Sequence, residues 1–247
     1  MKVLGSAAKT SYFYKKDLRG LPDWKIIYHL KCASTENKLS NYLNLINLKG
    51  MKPVAIFSNE QTNGVGQYGR EWSSPSGGIW LSALYPVFSC DFITEIFPVS
   101  IAYHLCEMLL KESIKVNIKW PNDIYYGSKK LIGFLPRVIT RGEKTLYVRI
   151  GIGMNLNNHT PLNGISLSRI FKRKDLCQSY WASNILKVIV EAILFNKQKS
   201  NIIEGANKFL NKKLLPKGYE DEWAIDCIDL NGHLRILNKS NFSVLSL

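Results

Sequence analysis

Residues 119–133 read KWPNDIYYGSKKLIG. The ring of Pro121 locks its own φ and biases Trp120 toward an extended backbone. The pattern predicts strands over Val116 to Lys119, Asp123 to Tyr126 and Lys130 to Ile139, with a tight turn at Gly127 and Ser128. Lys119, Asn122 and Asp123 crowd around the proline turn. Two readings stand: Pro-Asn-Asp is ordinary turn chemistry, and the same rigid turn also presents an amide and a carboxylate to a ligand. Lys130, at the mouth of an apolar strand, is either solvated or aimed at an anion. Gly133 leaves bare backbone close by.

Outward from this segment, Thr145 to Met154 reads as a further strand. Upstream, Trp24 to Leu30, Pro53 to Phe57 and Gly78 to Tyr85 read as strands, the last two separated by a long polar loop from Ser58 to Gly77. Leu39, Tyr42, Leu43 and Ile46 recur at helical spacing, predicting a helix over Thr35 to Leu48 with Ser34 as its N-cap. A second helix is expected from Pro98 to Glu112. Two more are expected over Trp181 to Gln198, with Ile185, Val188, Ile189 and Ile193 on one face, and over Ile203 to Leu210. From Tyr219 onward short β segments surround the turn Asn231–Gly232. Strand clusters interrupted by helices indicate an α+β fold with a mixed sheet rather than regular βαβ alternation. The expected division is an N-terminal extension over 1–22, a main domain over 23–212 and a small C-terminal β domain over 213–247.

The 247-residue chain is 46% hydrophobic, which suits a globular fold and excludes the disordered class. It holds no apolar run long enough for a membrane span, and Met1 to Leu18 is too polar for a secretory signal. The five cysteines, Cys32, Cys90, Cys106, Cys177 and Cys227, are odd in number and lack C-x-x-C spacing, so free thiols in a reducing cytoplasm are expected. The scattered histidines give a metal site little support. A net charge of +14 raises the question of nucleic acid. The basic residues are dispersed, however, and the densest cluster, Lys172 to Lys174, has no interleaved aromatics. Neither a specific nucleic-acid partner nor a membrane is expected.

The loop Gln61 to Trp72 reads QTNGVGQYGREW. Gly64, Gly66 and Gly69 satisfy G-x-G-x-x-G, but Ser73-Ser-Pro-Ser-Gly-Gly follows and cannot open the helix a dinucleotide site needs. A mobile surface loop and an anion-cradling loop both remain. In the second reading glycine amides turn toward an anion, Arg70 adds a planar donor fork and Trp72 covers a flat heterocycle.

Together these segments resemble the biotin protein ligase family, in a short form without an N-terminal DNA-binding domain. The block G-x-G-x-x-G-R-x-W appears as Gly64 to Trp72. K-W-P-N-D appears as Lys119 to Asp123, with K-L-x-G starting seven residues after its aspartate, as Lys130 to Gly133. G-x-G-x-N appears as Gly151 to Asn155. The resemblance implies a class II synthetase-like mixed-sheet catalytic domain with flanking helices and a small SH3-like C-terminal domain. It implies activation of biotin by ATP to biotinyl-5′-AMP, then transfer to a lysine of a biotin carboxyl carrier domain such as that of acetyl-CoA carboxylase. By position, biotin would be met by Ser34, Thr35, Gln61, Val65, Gly66, Gln67, Lys130, Gly133, Gly151 and Gly153. Gly64, Gly69, Arg70, Trp72, Lys119, Asn122, Asp123 and Asn155 would serve ATP, with magnesium brought by the nucleotide and Asp123 as its candidate ligand. Lys130 would be the catalytic cation between biotin's carboxylate and the α-phosphate. A monomer or homodimer is expected.

The chain departs from the family pattern at Val65 and Gln67, where many members carry arginine, and at Arg137, where an acidic residue is usual. Pro136 removes an amide donor and predicts an edge or a bulge. The alternatives to a biotin ligase are a lipoyl-class ligase or acyltransferase and a nonenzymatic biotin-binding protein.

Overall fold

The computed structural model describes residues 5–16, 21–45, 52–87, 92–141, 144–194, 199–216, 218–219, 222–238 and 241–246. The main sheet has seven strands: β1 (Lys25–His29), β2 (Val54–Ser58), β3 (Ile79–Pro86), β4 (Asn117–Lys119), β5 (Asp123–Tyr126), β6 (Lys129–Arg141) and β7 (Lys144–Met154). Their order is β1-β2-β3-β7-β6-β5-β4. β1 and β2 run parallel, whereas β2–β3, β3–β7, β6–β7 and β4–β5 are antiparallel, so the sheet is mixed as expected. The chain divides into two compact units, Met1–Asp91 with Leu131–Lys187, and Phe92–Lys130 with Val188–Leu247.

In the first unit β2 and β3 are buried along their whole length. That explains why they read as continuous apolar runs rather than alternating ones. Helix α2 (Thr35–Leu43) lays Leu39 onto Val54, Ile56 and Leu84, and a leucine buried this completely contributes about 2 kcal/mol. Its N-cap is Ser34, whose Oγ accepts the Glu36 amide at 3.2 Å. The helix stops at Leu43, before its expected end; Ile46 and Leu48 lie outside the described residues. A helix that the sequence reading did not anticipate, α1 (Ala7–Lys16), occupies much of the N-terminal extension. It buries Thr10 and Tyr14, one turn apart, and burial pushes the Tyr14 phenol up to about 12. Gln178 pins the start of this segment, accepting from the Gly5 amide at 2.6 Å while donating to the Gly78 carbonyl at 2.5 Å. The short α4 (Leu167–Ile170) was also unread, and α5 (Gln178–Leu194) begins three residues before its predicted start. Pro136 lies within β6 opposite Ile150, and the register shift falls three residues later, between Ile139 and Thr140.

In the second unit α3 (Phe92–Lys111) starts well before Pro98, which sits inside the helix instead of opening it. Proline at that position removes one backbone hydrogen bond. Ile96 and Phe97, each 1% exposed, bury enough apolar surface to hold the preceding turn helical. Helix α6 (Lys199–Phe209) packs on α3. Its Asn207 grips the C-terminal sheet through both backbone groups of Ile228, at 2.9 and 2.8 Å. That sheet has the order β10-β9-β8, from β8 (Ala224–Ile228), β9 (Leu234–Leu237) and β10 (Phe242–Leu245). The turn predicted at Asn231–Gly232 is present, with Gly232 at φ +84° and the Asp229 carboxylate accepting the Asn231 and His233 amides.

Candidate functional site

The predicted site residues fall into two groups, one in each unit. In the first unit, backbone bonds stitch residues 32–33 to the start of the glycine-rich loop: Cys32 to Glu60, Thr62 to Cys32 and Asn63 to Ala33. Thr35, at the start of α2, therefore faces Gln61. Gln61 Oε1 accepts the Thr35 amide at 2.8 Å and the Thr35 hydroxyl at 3.0 Å. Thr35 Oγ1 also lies 2.9 Å from Ser82 Oγ. A hydroxyl has one proton, so when Thr35 donates to Gln61 it is Ser82 that donates to Thr35. At its other end Gln61 Nε2 donates to Ser74 Oγ at 2.8 Å, and Ser74 donates to the Trp72 carbonyl at 2.9 Å. A neutral relay thus runs from the sheet through Ser82, Thr35, Gln61 and Ser74 into the loop. Ser34 and Thr35 are buried, at 1% and 3% exposed, consistent with a chain of satisfied polar groups.

The loop itself is a small closed hairpin. Trp72 N donates to Gly64 O at 2.8 Å and Gly66 N to Arg70 O at 2.7 Å, with a bridge between Val65 and Glu71. Its tip is a short 3₁₀ turn, Gln67–Gly69, in which Tyr68 and Gly69 both take positive φ. Gly66 and Gln67 are half-buried, whereas Val65, Gly69 and Arg70 are exposed, the last with its guanidinium over the Tyr68 ring. Beside the loop the sheet is bare. Gly133 stands opposite Gly153, and Gly151 stands opposite Leu135 on one side and Ser82 on the other. Cross-strand partners share a face, so these glycines leave a floor of bare backbone flanked by the side chains of Leu135 and Ser82. The Trp72 indole lies on it: a Cβ at Gly153 would come within 2.5 Å of its Nε1. Asn155 follows β7, 6% exposed, with its Oδ1 accepting from Asn158 Nδ2 at 2.9 Å.

The second group lies on the β4–β5 hairpin and the first residues of β6. Lys119 pairs with Asp123 across the hairpin, and the Trp120–Pro121 bond at its turn is cis. Trp120 Nε1 donates to the Gly232 carbonyl at 3.0 Å, anchoring this turn to the C-terminal β turn. Lys119 Nζ sits 5.4 Å above the Tyr125 ring. Burial, and after it the Asp123 charge, push the Tyr125 phenol up. Lys130 Nζ lies 2.6 Å from Asp123 Oδ1, the two side chains 24% and 17% exposed. Its neighbour Lys129 is exposed, as alternation along the strand requires. This arrangement holds a cation and a carboxylate together in a partly dehydrated place.

Sequence reasoning missed Ser82, Ser74 and Asn158. Ser82 had a signal, as the one aliphatic hydroxyl inside the apolar strand IWLSALYP. Ser74 and Asn158 had none, because their partners are fixed only by how the loops close.

The family model "Biotin/lipoate A/B protein ligase family" matches residues 30–155, just over half of the chain. The chain is 30% identical over 137 residues to the bifunctional ligase/repressor BirA of Bacillus subtilis, covering 53% of this chain and 40% of that protein. It is 29% identical over 169 residues to the human biotin–protein ligase, covering 65% of this chain and 23% of that one. It therefore spans well under half the length of these curated relatives. Among solved structures, the biotin protein ligase of Aquifex aeolicus in complex with biotin and ATP is similar, with a TM-score of 0.71 at 21% identity over 90% of this chain and 95% of that one. The Leishmania major biotin protein ligase in complex with biotinyl-5-AMP has a TM-score of 0.63 at 22% identity, covering 90% and 98%. These likenesses establish the fold.

Proposed function

This chain belongs to the biotin/lipoate A/B protein ligase family, and from that premise we propose that it activates biotin with ATP and transfers it to a lysine of an acceptor protein. Biotin's carboxylate attacks the α-phosphate, pyrophosphate leaves, and biotinyl-5′-AMP forms. The acceptor amine then attacks the biotinyl carbonyl and AMP leaves. A biotin carboxyl carrier domain in the cytoplasm is the acceptor class this reading takes.

The observation that carries the proposal is the Lys130–Asp123 pair, 2.6 Å apart, in the block that joins K-W-P-N-D to K-L-x-G. Two anions must meet in the first step. A cation held nearby lowers their repulsion and stabilises charge growing on the phosphate. Lys130 fills that role, and Asp123 keeps its ammonium placed until a ligand anion takes over. Lys119, Asn122 and Asp123 are assigned to the nucleotide, together with Arg70, Trp72, Gly64, Gly69 and Asn155. Among the described residues no cluster of three or more His, Cys, Asp or Glu could hold a metal. The hard oxygens of Asp123 and Asn122 nonetheless fit magnesium carried by the nucleotide, which commonly keeps several waters and takes one or two protein carboxylates. When bound, that ion supplies charge neutralisation at the phosphates. Ser34, Thr35, Gln61, Gly133, Gly151 and Gly153 are assigned to biotin, with Val65, Gly66 and Gln67 beside them. A small β domain over 213–247, following in sequence a catalytic region over 23–212, belongs to the same proposal.

The family model spans both biotin and lipoate enzymes. Biotin is favoured by K-W-P-N-D with K-L-x-G and by the named relatives. The purified chain is expected to release pyrophosphate only when both biotin and MgATP are present. Equal release with lipoate or octanoate overturns the biotin assignment.

A further inference from the structure

β7 places Arg149 two residues before Gly151, on the same face of the sheet. Arg149 is only 12% exposed, and a guanidinium taken so far out of water is costly unless its bonds are replaced. It also stands directly opposite Arg137 on β6, an arrangement that repels. Glu36, the second residue of α2, offsets both. Its Oε2 lies 2.8 Å from Arg149 and 4.0 Å from Arg137. Arg149 further donates to the Glu36 backbone carbonyl at 2.6 Å and to Ser40 Oγ at 2.9 Å. Ser40 in turn donates its hydroxyl to that same carbonyl at 3.1 Å.

One guanidinium therefore grips a full turn of α2 by side chain and backbone at once, while its Nε stays buried without a hydrogen-bond partner. Stability alone accounts poorly for this, because apolar side chains of similar volume often replace buried ion pairs at no loss. The turn being held starts at Thr35, the residue whose amide and hydroxyl meet Gln61 and whose hydroxyl meets Ser82. Glu36 Oε1 lies 3.2 Å from where a Cβ of Gly151 would stand, so the clamp abuts the glycine floor.

We infer that Arg149, acting through Glu36, is a positioning residue for the biotin pocket: it fixes the first turn of α2 against β7 and so holds Thr35 in register with Gln61 and Ser82. This rests on the biotin reading above. The relay tolerates little movement, because hydrogen bonds weaken steeply with distance and angle. The clamp touches none of the residues assigned to the nucleotide, so its loss acts on biotin and spares ATP.

The test measures steady-state KM for biotin and for ATP, kcat, and thermal melting in Arg149→Met and Arg149→Lys. Arg149→Met is expected to raise the biotin KM about tenfold or more, with the ATP KM and saturated kcat within about twofold. Arg149→Lys keeps the charge on Glu36 but loses the fork, so it is expected to show the same biotin-selective rise, smaller in size. If Arg149→Met melts below the assay temperature, Arg149→Lys decides by the same split. A biotin KM unchanged in a folded variant, or a rise shared equally by ATP, overturns the inference. A wild-type chain with no biotin-dependent pyrophosphate release overturns the biotin reading instead, so the two failures are distinct.

Discussion

Thr35 and Lys130 belong to different units and are held by different forces. Thr35 is 3% exposed and sits in an uncharged chain of hydroxyls and amides, each donor matched to one acceptor. Lys130 is partly exposed, its side chain at 24%, and is paired with the Asp123 carboxylate. In the neutral relay the direction of every bond is set, and an unmatched group costs the full penalty of burial. That physics discriminates shape and hydrogen-bond pattern. The ion pair has no such directionality. A point charge makes few demands on geometry, so a ligand anion can take the place of Asp123. On the proposed reading, the contrast is a division of labour between recognition, built from rigid neutral bonds, and charge handling, built from an exchangeable pair.

Replacing Lys130 sharpens this contrast most. Lys130→Ala should slow single-turnover formation of biotinyl-AMP about a hundredfold, equivalent to roughly 3 kcal/mol of transition-state stabilisation. Lys129→Ala, on the opposite face, should stay within about twofold. Comparable losses in the two variants would break the assignment of charge handling to Lys130.

A next-smaller effect is expected on the glycine floor. Gly153→Ala drives a methyl group into the Trp72 indole, 2.5 Å from Nε1. Overpacking of this kind costs about 2 kcal/mol, to be read from urea denaturation. Trp72 fluorescence should shift as the ring moves off the floor. An unchanged midpoint and spectrum would mean that the indole yields freely, and that the neutral half is less rigid than the relay implies.

Thr35→Val should show the smallest change. It removes one hydroxyl at nearly constant shape and leaves Gln61 bonded to the Thr35 amide. The loss is about 1 kcal/mol, roughly fivefold in biotin affinity by calorimetry. A larger loss in ATP affinity than in biotin affinity would contradict the division between the two halves.

Legibility followed the range of the interactions. Ser34 was readable as a cap because its partner is two residues away. The turns at Gly127 and Gly232 were readable because positive φ favours glycine. Helix α1 was not, since what holds it is burial of Thr10 and Tyr14 and a bond to Gln178, more than 160 residues away. Pro98 misled for a related reason. Local chemistry places proline at a helix start, while the buried side chains of Ile96 and Phe97 extend the helix past it. In the site, Gly151 and Gly153 were legible as a motif, but Ser74 and Asn158 depended on loop closure.

The sequence by itself determined the mixed α+β class, the ordered motif blocks and the charged residues around Pro121, because each is encoded in short-range spacing, turn chemistry and residue type. Tertiary structure alone decided which polar groups meet. Arg137 read as a misplaced charge until α2 brought Glu36 beside it and beside Arg149. Ser82 carried no reading in its strand, and Thr35 is what gives its hydroxyl a partner. Such pairings join residues dozens to more than a hundred positions apart. They are set by strand register and by the helix packed on the sheet, and a buried polar group finds its partner only when both are in place.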